Sequence, residues 1–93
     1  MPRMDEAEAR AELAKLGHEW EVDGQVLRKT FRFPDFVSAL AFVNQVGAFA
    51  EEDQHHPDLA LSWGKVTVEL TTHDAGGLSS KDFDLAKRIQ GLV

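Results

Sequence analysis

The spacing of apolar residues along this chain switches between two periods, and that switching limits the fold more than any other feature. Apolar residues alternate with polar or small ones within residues 20–33 and 59–70, and recur at helical spacing before, between and after these segments. Period two is typical of strands, and a period near 3.6 is typical of helices. The predicted order is therefore helix, hairpin, helix, hairpin, helix. Because hairpin strands pair antiparallel, we expect an α+β fold in which a four-stranded antiparallel sheet carries the helices on one face.

Capping residues set the predicted limits of the three helices. The first spans residues 5–16 and has Asp5 as its cap. The longest spans about 34–52 and is weakened by a glycine near its middle. The third begins at Ser79, with Asp82 three residues further on as in a capping box. The apolar stripe predicted for the longest helix consists of Phe36, Leu40, Val43 and Val46.

Each predicted hairpin contains a turn signal. Asp23-Gly24 separates the strands of the first, and Gly64-Lys65 separates those of the second. In the last strand, residues of the parity opposite to the core valines run on to His73, so the pattern predicts that this histidine lies on the polar side and faces a cleft. We expect Trp63 to belong to the core or to an interface.

Composition restricts the chemistry open to the chain. A length of 93 residues and a hydrophobic fraction of 43% suit a single domain covering residues 1–93. The absence of cysteine excludes disulfides and thiolate chemistry. A formal charge of −6 opposes direct binding of nucleic acid unless Arg28, Lys29 and Arg32 gather on one face. Because no apolar stretch approaches the ~20 residues that span a bilayer, we expect no membrane association and a cytoplasmic protein.

Three of the four histidines lie in two short polar segments, His55-His56-Pro57 and the stretch around His73. Imidazole exchanges protons near neutral pH, so this set favours acid–base catalysis. Two other interpretations stay open, solvated loop histidines and a metal site. The metal site is disfavoured because adjacent histidines usually diverge, whereas typical helical ligand pairs lie three or four residues apart. We therefore expect no metal.

Two acidic residues and a glycine pair near these histidines have more than one interpretation. Glu51 precedes His55 by one helical turn, and it is either a solvated charge or a carboxylate that orients a histidine or substrate. For Asp82, helix capping is favoured over direct catalysis. The pair Gly76-Gly77 is interpreted as a turn with unusual backbone angles, not as an anion cradle.

Three segments carry a resemblance to a known family. Residues 51–58, 63–66 and 71–79, continuing to Asp82, are similar to motifs of the pterin-4a-carbinolamine dehydratases, also called dimerization cofactors of a homeodomain transcription factor. These motifs read Glu51-x-x-x-His55-His56-Pro57-Asp58, Trp63-Gly64-Lys65-Val66 and Thr71-Thr72-His73-Asp74-Ala75-Gly76-Gly77-Leu78-Ser79. The resemblance covers nearly the whole chain.

The resemblance implies an enzyme that removes water from a 4a-hydroxytetrahydropterin to give quinonoid dihydropterin, within the recycling of tetrahydrobiopterin. It implies that His55, His56 and His73 form the acid–base set and that no redox cofactor is needed. It also implies six residues that bind or orient the pterin substrate: Glu51, Gln54, Thr71, Thr72, Asp74 and Asp82.

The resemblance further implies homodimers or homotetramers assembled through sheet edges and helices. Protein partners such as an aromatic amino acid hydroxylase or a transcription factor follow from it as well, and a non-catalytic interaction protein is the alternative function. Two positions depart from many relatives, Leu59 in place of an aromatic residue and Lys81 in place of arginine. Both departures bear on substrate affinity more than on the reaction.

Overall fold

The computed structural model describes residues 2–93 and contains a four-stranded sheet and three α-helices. The elements in chain order are α1 Glu6–Leu16, β1 Glu21–Asp23, β2 Val26–Arg32, α2 Phe36–Asp53, β3 Asp58–Ser62, β4 Lys65–Leu70, a 3-10 helix His73–Ala75, and α3 Ser80–Gln90. The α+β class and the order of helices and hairpins are thereby confirmed.

The two hairpins join into one sheet through their inner strands. The strand order is β1-β2-β4-β3, and every neighbouring pair is antiparallel. Thr30 lies opposite Thr67 in the central pair, and Leu59 lies opposite Val68 in the second hairpin. Because β3 begins at Asp58 opposite Glu69 near the end of β4, the loop that follows α2 and the loop that follows β4 lie at the same end of the sheet.

The apolar core lies between one face of the sheet and the helices. Leu27 and Phe31 of β2 are buried there with the alternate residues of β4. α3 contributes a strongly amphipathic face, and α1 contributes only two fully buried residues. The buried members from β4 and α3 are Val66, Val68, Leu70, Phe83, Leu85, Ala86 and Ile89. Burial of apolar area of this kind is the main stabilising term of the fold.

The face that α2 buries differs from the predicted stripe. Phe36 and Leu40 are 42% and 40% exposed, and only Val46 of the predicted four is fully buried. The residues that pack inward are Ala39, Phe42, Val46 and Ala50. Alanine lets the helix approach the sheet closely, and the Phe42 ring lies with its centroid 4.7 Å from that of Phe31. α2 is continuous through Gly47, so the weakening predicted there stays a prediction about stability and is not a break in the helix.

The second hairpin differs from the prediction at its turn and at the end of its last strand. Trp63 lies in the turn and is 69% exposed, so it is not a core residue. β4 ends at Leu70, and His73 belongs to the 3-10 helix, not to a strand extension. The chain leaves the sheet because Thr72 pairs with Gly77 in an isolated bridge across this short helix.

The three cations of β2 do not gather on one face. Arg28 and Arg32 share the polar side of the sheet, where Arg28 Nε donates to Glu69 Oε2 at 2.6 Å. Lys29 has the parity of Leu27 and Phe31, and its Nζ donates to Gln90 Oε1 at 2.8 Å and lies 4.6 Å from the Phe31 ring centroid. Burial lowers the pKa of Lys29 below its ordinary value. The condition set for nucleic-acid binding is therefore not met by these three residues.

Candidate active site

A left-handed residue at the end of α2 sends the two adjacent histidines into different environments. Gln54 has φ 50° and ψ 43°, and its backbone N–H donates to the carbonyls of Ala50 and Glu51. Its side-chain Nε2 donates to the Glu51 carbonyl at 2.6 Å, which fastens the reversal. After it, the His55 side chain is 10% exposed and that of His56 is 57% exposed. The backbone thus directs the two side chains apart, as predicted for neighbouring histidines.

The buried carboxylate of Asp82 is the centre of the site. Its Oδ1 accepts from His55 Nε2 at 2.6 Å, and its Oδ2 accepts from the Thr72 hydroxyl at 2.8 Å and the Ser79 N–H at 3.0 Å. The Ser79 and Thr72 hydroxyls lie 2.8 Å apart. Asp82 has no exposed surface. One carboxylate thus joins the end of α2, the loop after β4 and the start of α3.

Asp82 therefore combines the capping role predicted from the sequence with a second role. Its contact with the Ser79 N–H is the capping contact at the first turn of α3. Its contact with His55 orients the ring and favours the tautomer that carries a proton on Nε2. That tautomer leaves Nδ1 as the nitrogen able to exchange a proton with a substrate.

The loop that carries His73 is fixed to the same carboxylate through Thr72. Thr72 N–H donates to the Gly77 carbonyl at 3.0 Å, and Gly77 N–H donates back at 3.3 Å. His73 and Asp74 lie exposed on the 3-10 helix enclosed by this bridge. The anchoring of Thr72 therefore holds the third histidine on the loop that shares Asp82 with the His55 segment.

Two glycines close this loop for different physical reasons. Gly76 has φ 75°, a left-handed conformation that glycine adopts without steric cost. A Cβ on Gly77 would instead collide with the Gln25 side chain and lie 3.1 Å from Arg3 Cδ. The unusual backbone angle predicted for the pair thus belongs to Gly76, whereas Gly77 lies against the flexible side chains of Gln25 and Arg3.

His56 and Glu51 form an exposed pair at the end of α2. His56 Nε2 contacts Glu51 Oε2, and both side chains are more than half exposed. Glu51 is thus an exposed charge at the helix end that also contacts a histidine, so both interpretations of this residue stay open. Because exposed pairs are weak, this contact directs the ring more than it stabilises the fold.

The structure brings together only part of the predicted set through direct contacts. His55, Thr72 and Asp82 form one network, and Glu51, Gln54 and His56 cluster at the α2 terminus. Thr71 is half-buried between β4 and the 3-10 helix. His73 and Asp74 lie exposed on the loop that Thr72 anchors to Asp82.

An open depression beside His55 contains two acidic residues that the sequence did not single out for function, together with Lys81. Its volume is about 320 Å³, and Asp53, His55, Lys81 and Asp84 line it. The spacing of Lys81 and Asp84 on α3 follows the exposed side of the helix, a signal that does not separate them from any solvated pair. Only the packing of α3 against the α2 terminus places them near a histidine.

Two kinds of feature are absent from residues 2–93. Within this range no group of three or more histidine, aspartate or glutamate side chains has a geometry that would hold a metal ion. No helix in the same range has both the length and the apolar character needed to cross a bilayer.

The fold and site together define an α+β protein organised around a buried histidine–carboxylate pair. A family model described as pterin 4 alpha carbinolamine dehydratase matches residues 2–92. The chain belongs to the pterin 4 alpha carbinolamine dehydratase family, which confirms the resemblance carried by its motifs.

Relatives from distant organisms match nearly the whole chain. One from Roseiflexus sp. (strain RS-1) is 50% identical over 91 residues, covering 98% of this chain and 97% of its own length. One from Sulfurisphaera tokodaii is 45% identical over 93 residues, covering 100% of this chain and 99% of its own. Both bear the name pterin-4-alpha-carbinolamine dehydratase as a provisional assignment.

Two solved structures share the fold. A transcriptional coactivator/pterin dehydratase from Brucella melitensis is 30% identical, covers 97% of each chain and superposes with a TM-score of 0.91. A pterin dehydratase-like protein identified as a RuBisCO assembly factor in the alpha-carboxysome is 25% identical, with a TM-score of 0.71. It covers 83% of this chain and 92% of its own.

Proposed function

We propose that this protein is a 4a-hydroxytetrahydropterin dehydratase that produces quinonoid dihydropterin in the recycling of tetrahydrobiopterin, acting as a single cytoplasmic domain. The family and the names of its relatives support the reaction class. The observation that carries the proposal is the Asp82 carboxylate, which holds His55 directly and the loop of His73 through Thr72.

The proposed reaction is an elimination that needs two proton transfers and no change of oxidation state. The C4a–O bond breaks as the hydroxyl gains a proton and leaves as water. The N5–H bond breaks as a base takes its proton, and that electron pair forms the C4a=N5 double bond. An acid and a base placed on one substrate each contribute about 10²–10⁴ to the rate in typical cases.

The three histidines suit these transfers in different ways. His55 is buried and held by Asp82, so its ring has one orientation and one favoured tautomer. His56 is exposed and paired with Glu51, and His73 is exposed on the anchored loop. We assign the proton transfers to these three residues together. Solvent-exposed His56 and His73 are placed to recover their protons from water after each turnover.

The remaining residues of the predicted set act on the substrate or on the histidines. We assign Asp82 and Thr72 to positioning, because both are buried and spend their polar atoms on one another, on His55 and on Ser79. We assign Gln54, Thr71 and Asp74 to the substrate-facing border. Glu51 orients His56 and lies exposed beside it.

The experiment that tests the proposal follows enzymatically generated 4a-hydroxytetrahydropterin by ultraviolet absorbance, with a metal chelator present. Wild type is compared with His55→Ala and with the spontaneous reaction. We expect wild type to accelerate loss of the intermediate and His55→Ala to lose most of that acceleration while remaining folded by circular dichroism. No acceleration by wild type would refute the proposed activity.

A protein-interaction function is the second candidate, and an exposed apolar strip on α2 favours it. Phe36, Val37 and Leu40 are 42%, 74% and 40% exposed near the start of this helix. The two solved relatives bear names that include a coactivator and an assembly factor. The same strip suits assembly of this chain into a homodimer or homotetramer. Under this function, Leu40→Lys abolishes partner binding or self-association and leaves dehydration at its wild-type rate.

A further inference from the structure

The last turn of α2 holds an unusual concentration of negative charge. Glu51, Glu52 and Asp53 follow one another there, and the turn contains no basic residue. The carboxyl end of a helix carries the negative pole of its dipole, so three carboxylates at this end are electrostatically unfavourable. The turn leads through Gln54 directly into the histidine pair. Its charge and its conformation therefore both act on His56.

Arg88 of α3 supplies the cation that α2 lacks. Its two terminal nitrogens donate to different carboxylates: Nη1 donates to Asp53 Oδ1 at 2.6 Å, and Nη2 donates to Glu52 Oε1 at 3.0 Å. The guanidinium carbon lies 4.0 Å from the ring centroid of Phe49, one turn earlier on α2. A planar guanidinium suits such forked and stacked contacts, and lysine does not.

These contacts leave one carboxylate of the three for the histidine. Glu52 and Asp53 are turned toward Arg88, and Glu51 contacts His56 Nε2. We propose that Arg88 is a positioning residue for His56: by engaging Glu52 and Asp53 it makes Glu51 the sole carboxylate partner of the ring and limits the negative potential around it. The catalytic meaning of this arrangement rests on the proposed dehydration, but the arrangement itself does not.

Loss of Arg88 has a defined electrostatic effect on His56. Negative charge favours the protonated imidazole, so removal of the cation moves the titration midpoint of His56 to higher pH. A unit charge about 10 Å away in water changes a midpoint by roughly 0.3 pH unit when salt screening is weak. The charged side chains on the last turn of α2, on β3 and on α3 are Glu51, Glu52, Asp53, Asp58, Lys81, Asp82, Asp84, Lys87 and Arg88, with His55 as the neighbouring titratable ring.

The test measures the His56 titration by NMR of the imidazole in the free protein, which does not depend on activity. Arg88→Met is compared with Lys87→Met, which removes one positive charge from the preceding position of α3. We expect Arg88→Met to raise the midpoint by about 0.3 pH unit relative to Lys87→Met at low salt. Equal midpoints in the two variants would overturn the proposal.

Two further variants keep the proposal testable if Arg88→Met does not fold. Glu52→Gln with Asp53→Asn leaves Arg88 without its two partners, so the His56 midpoint is expected to fall below the wild-type value. Combining these changes with Arg88→Met should return it toward wild type. A double variant with an unchanged midpoint would also overturn the proposal. If His56 responds as expected in a protein that shows no dehydration, the positioning holds and the proposed function fails separately.

Discussion

The substitution Asp82→Asn tests the central carboxylate while keeping the shape of the side chain. An asparagine oxygen at the position of Oδ2 keeps the bonds from the Thr72 hydroxyl and the Ser79 N–H, at 2.8 and 3.0 Å. The amide nitrogen then faces His55 Nε2 in place of an acceptor 2.6 Å away. Because that nitrogen donates, the His55 ring must move its proton to Nδ1 or lose the contact.

The consequence for activity is larger than the consequence for stability. Exchanging one charge-assisted hydrogen bond for a neutral one costs about 1–2 kcal/mol, and Asp82→Ala, which orphans three buried donors, costs about 3–5 kcal/mol. The wrong tautomer removes the contribution of one positioned acid or base, so we expect the rate of Asp82→Asn to fall by about 10²–10⁴.

The assay is the dehydration rate of Asp82→Asn beside its denaturant midpoint. Asp23→Asn is the control, because Asp23 is an exposed carboxylate that pairs with Arg28 on the polar side of the sheet. We expect the control to keep the wild-type rate. A folded Asp82→Asn protein with wild-type turnover would refute the assignment of His55 and its carboxylate to the reaction.

Two further predictions concern the frame that holds the site. Gly77→Ala should destabilise the protein by no more than about 1 kcal/mol in denaturant unfolding, because its Cβ meets only the flexible, exposed side chains of Gln25 and Arg3, which can move aside. Gly47→Ala should stabilise the protein by about 0.5–1 kcal/mol, because an added Cβ meets nothing within 4 Å in the middle of α2. A Gly77→Ala protein more stable than Gly47→Ala would contradict the packing. The Ser38 N–H holds the pKa of Asp35 below its ordinary value at the start of α2. The stability that this cap contributes is therefore present above the pKa of Asp35 in the unfolded chain and is lost as pH falls through its pKa in the folded protein. In Asp35→Ala, the free energy of unfolding should depend less on pH in that acidic range. An unchanged pH dependence would contradict the capping role.

The secondary structure was predictable because local signals agreed with the fold. The hairpin turns, the caps at Asp5 and Ser79, and the two apolar periods all depend on residues near one another in the chain. The buried face of α2 was not predictable in this way. Phe36 and Leu40 are larger and more apolar than Ala39, yet close approach to the sheet selects the small residue.

The candidate site was predictable as a set of residues and not as a geometry. Local patterns indicated His55, His56 and His73, and the family motifs added Glu51 and Asp82. The sharing of one carboxylate by His55 and Thr72 joins positions far apart in the chain, and only the packed fold brings them together. Arg88 gave no local signal, because its partners lie on another helix.

The most direct test of the account records the imidazole resonances of all four histidines while a tetrahydropterin without the 4a-hydroxyl group is added. Such a compound occupies the proposed site without reacting. We predict that the resonances of His55, His56 and His73 shift with the same apparent dissociation constant. The resonance of His18, which is exposed in the turn after α1, should not shift. Pterin binding that leaves the three resonances unchanged, or that shifts only His18, would contradict the account.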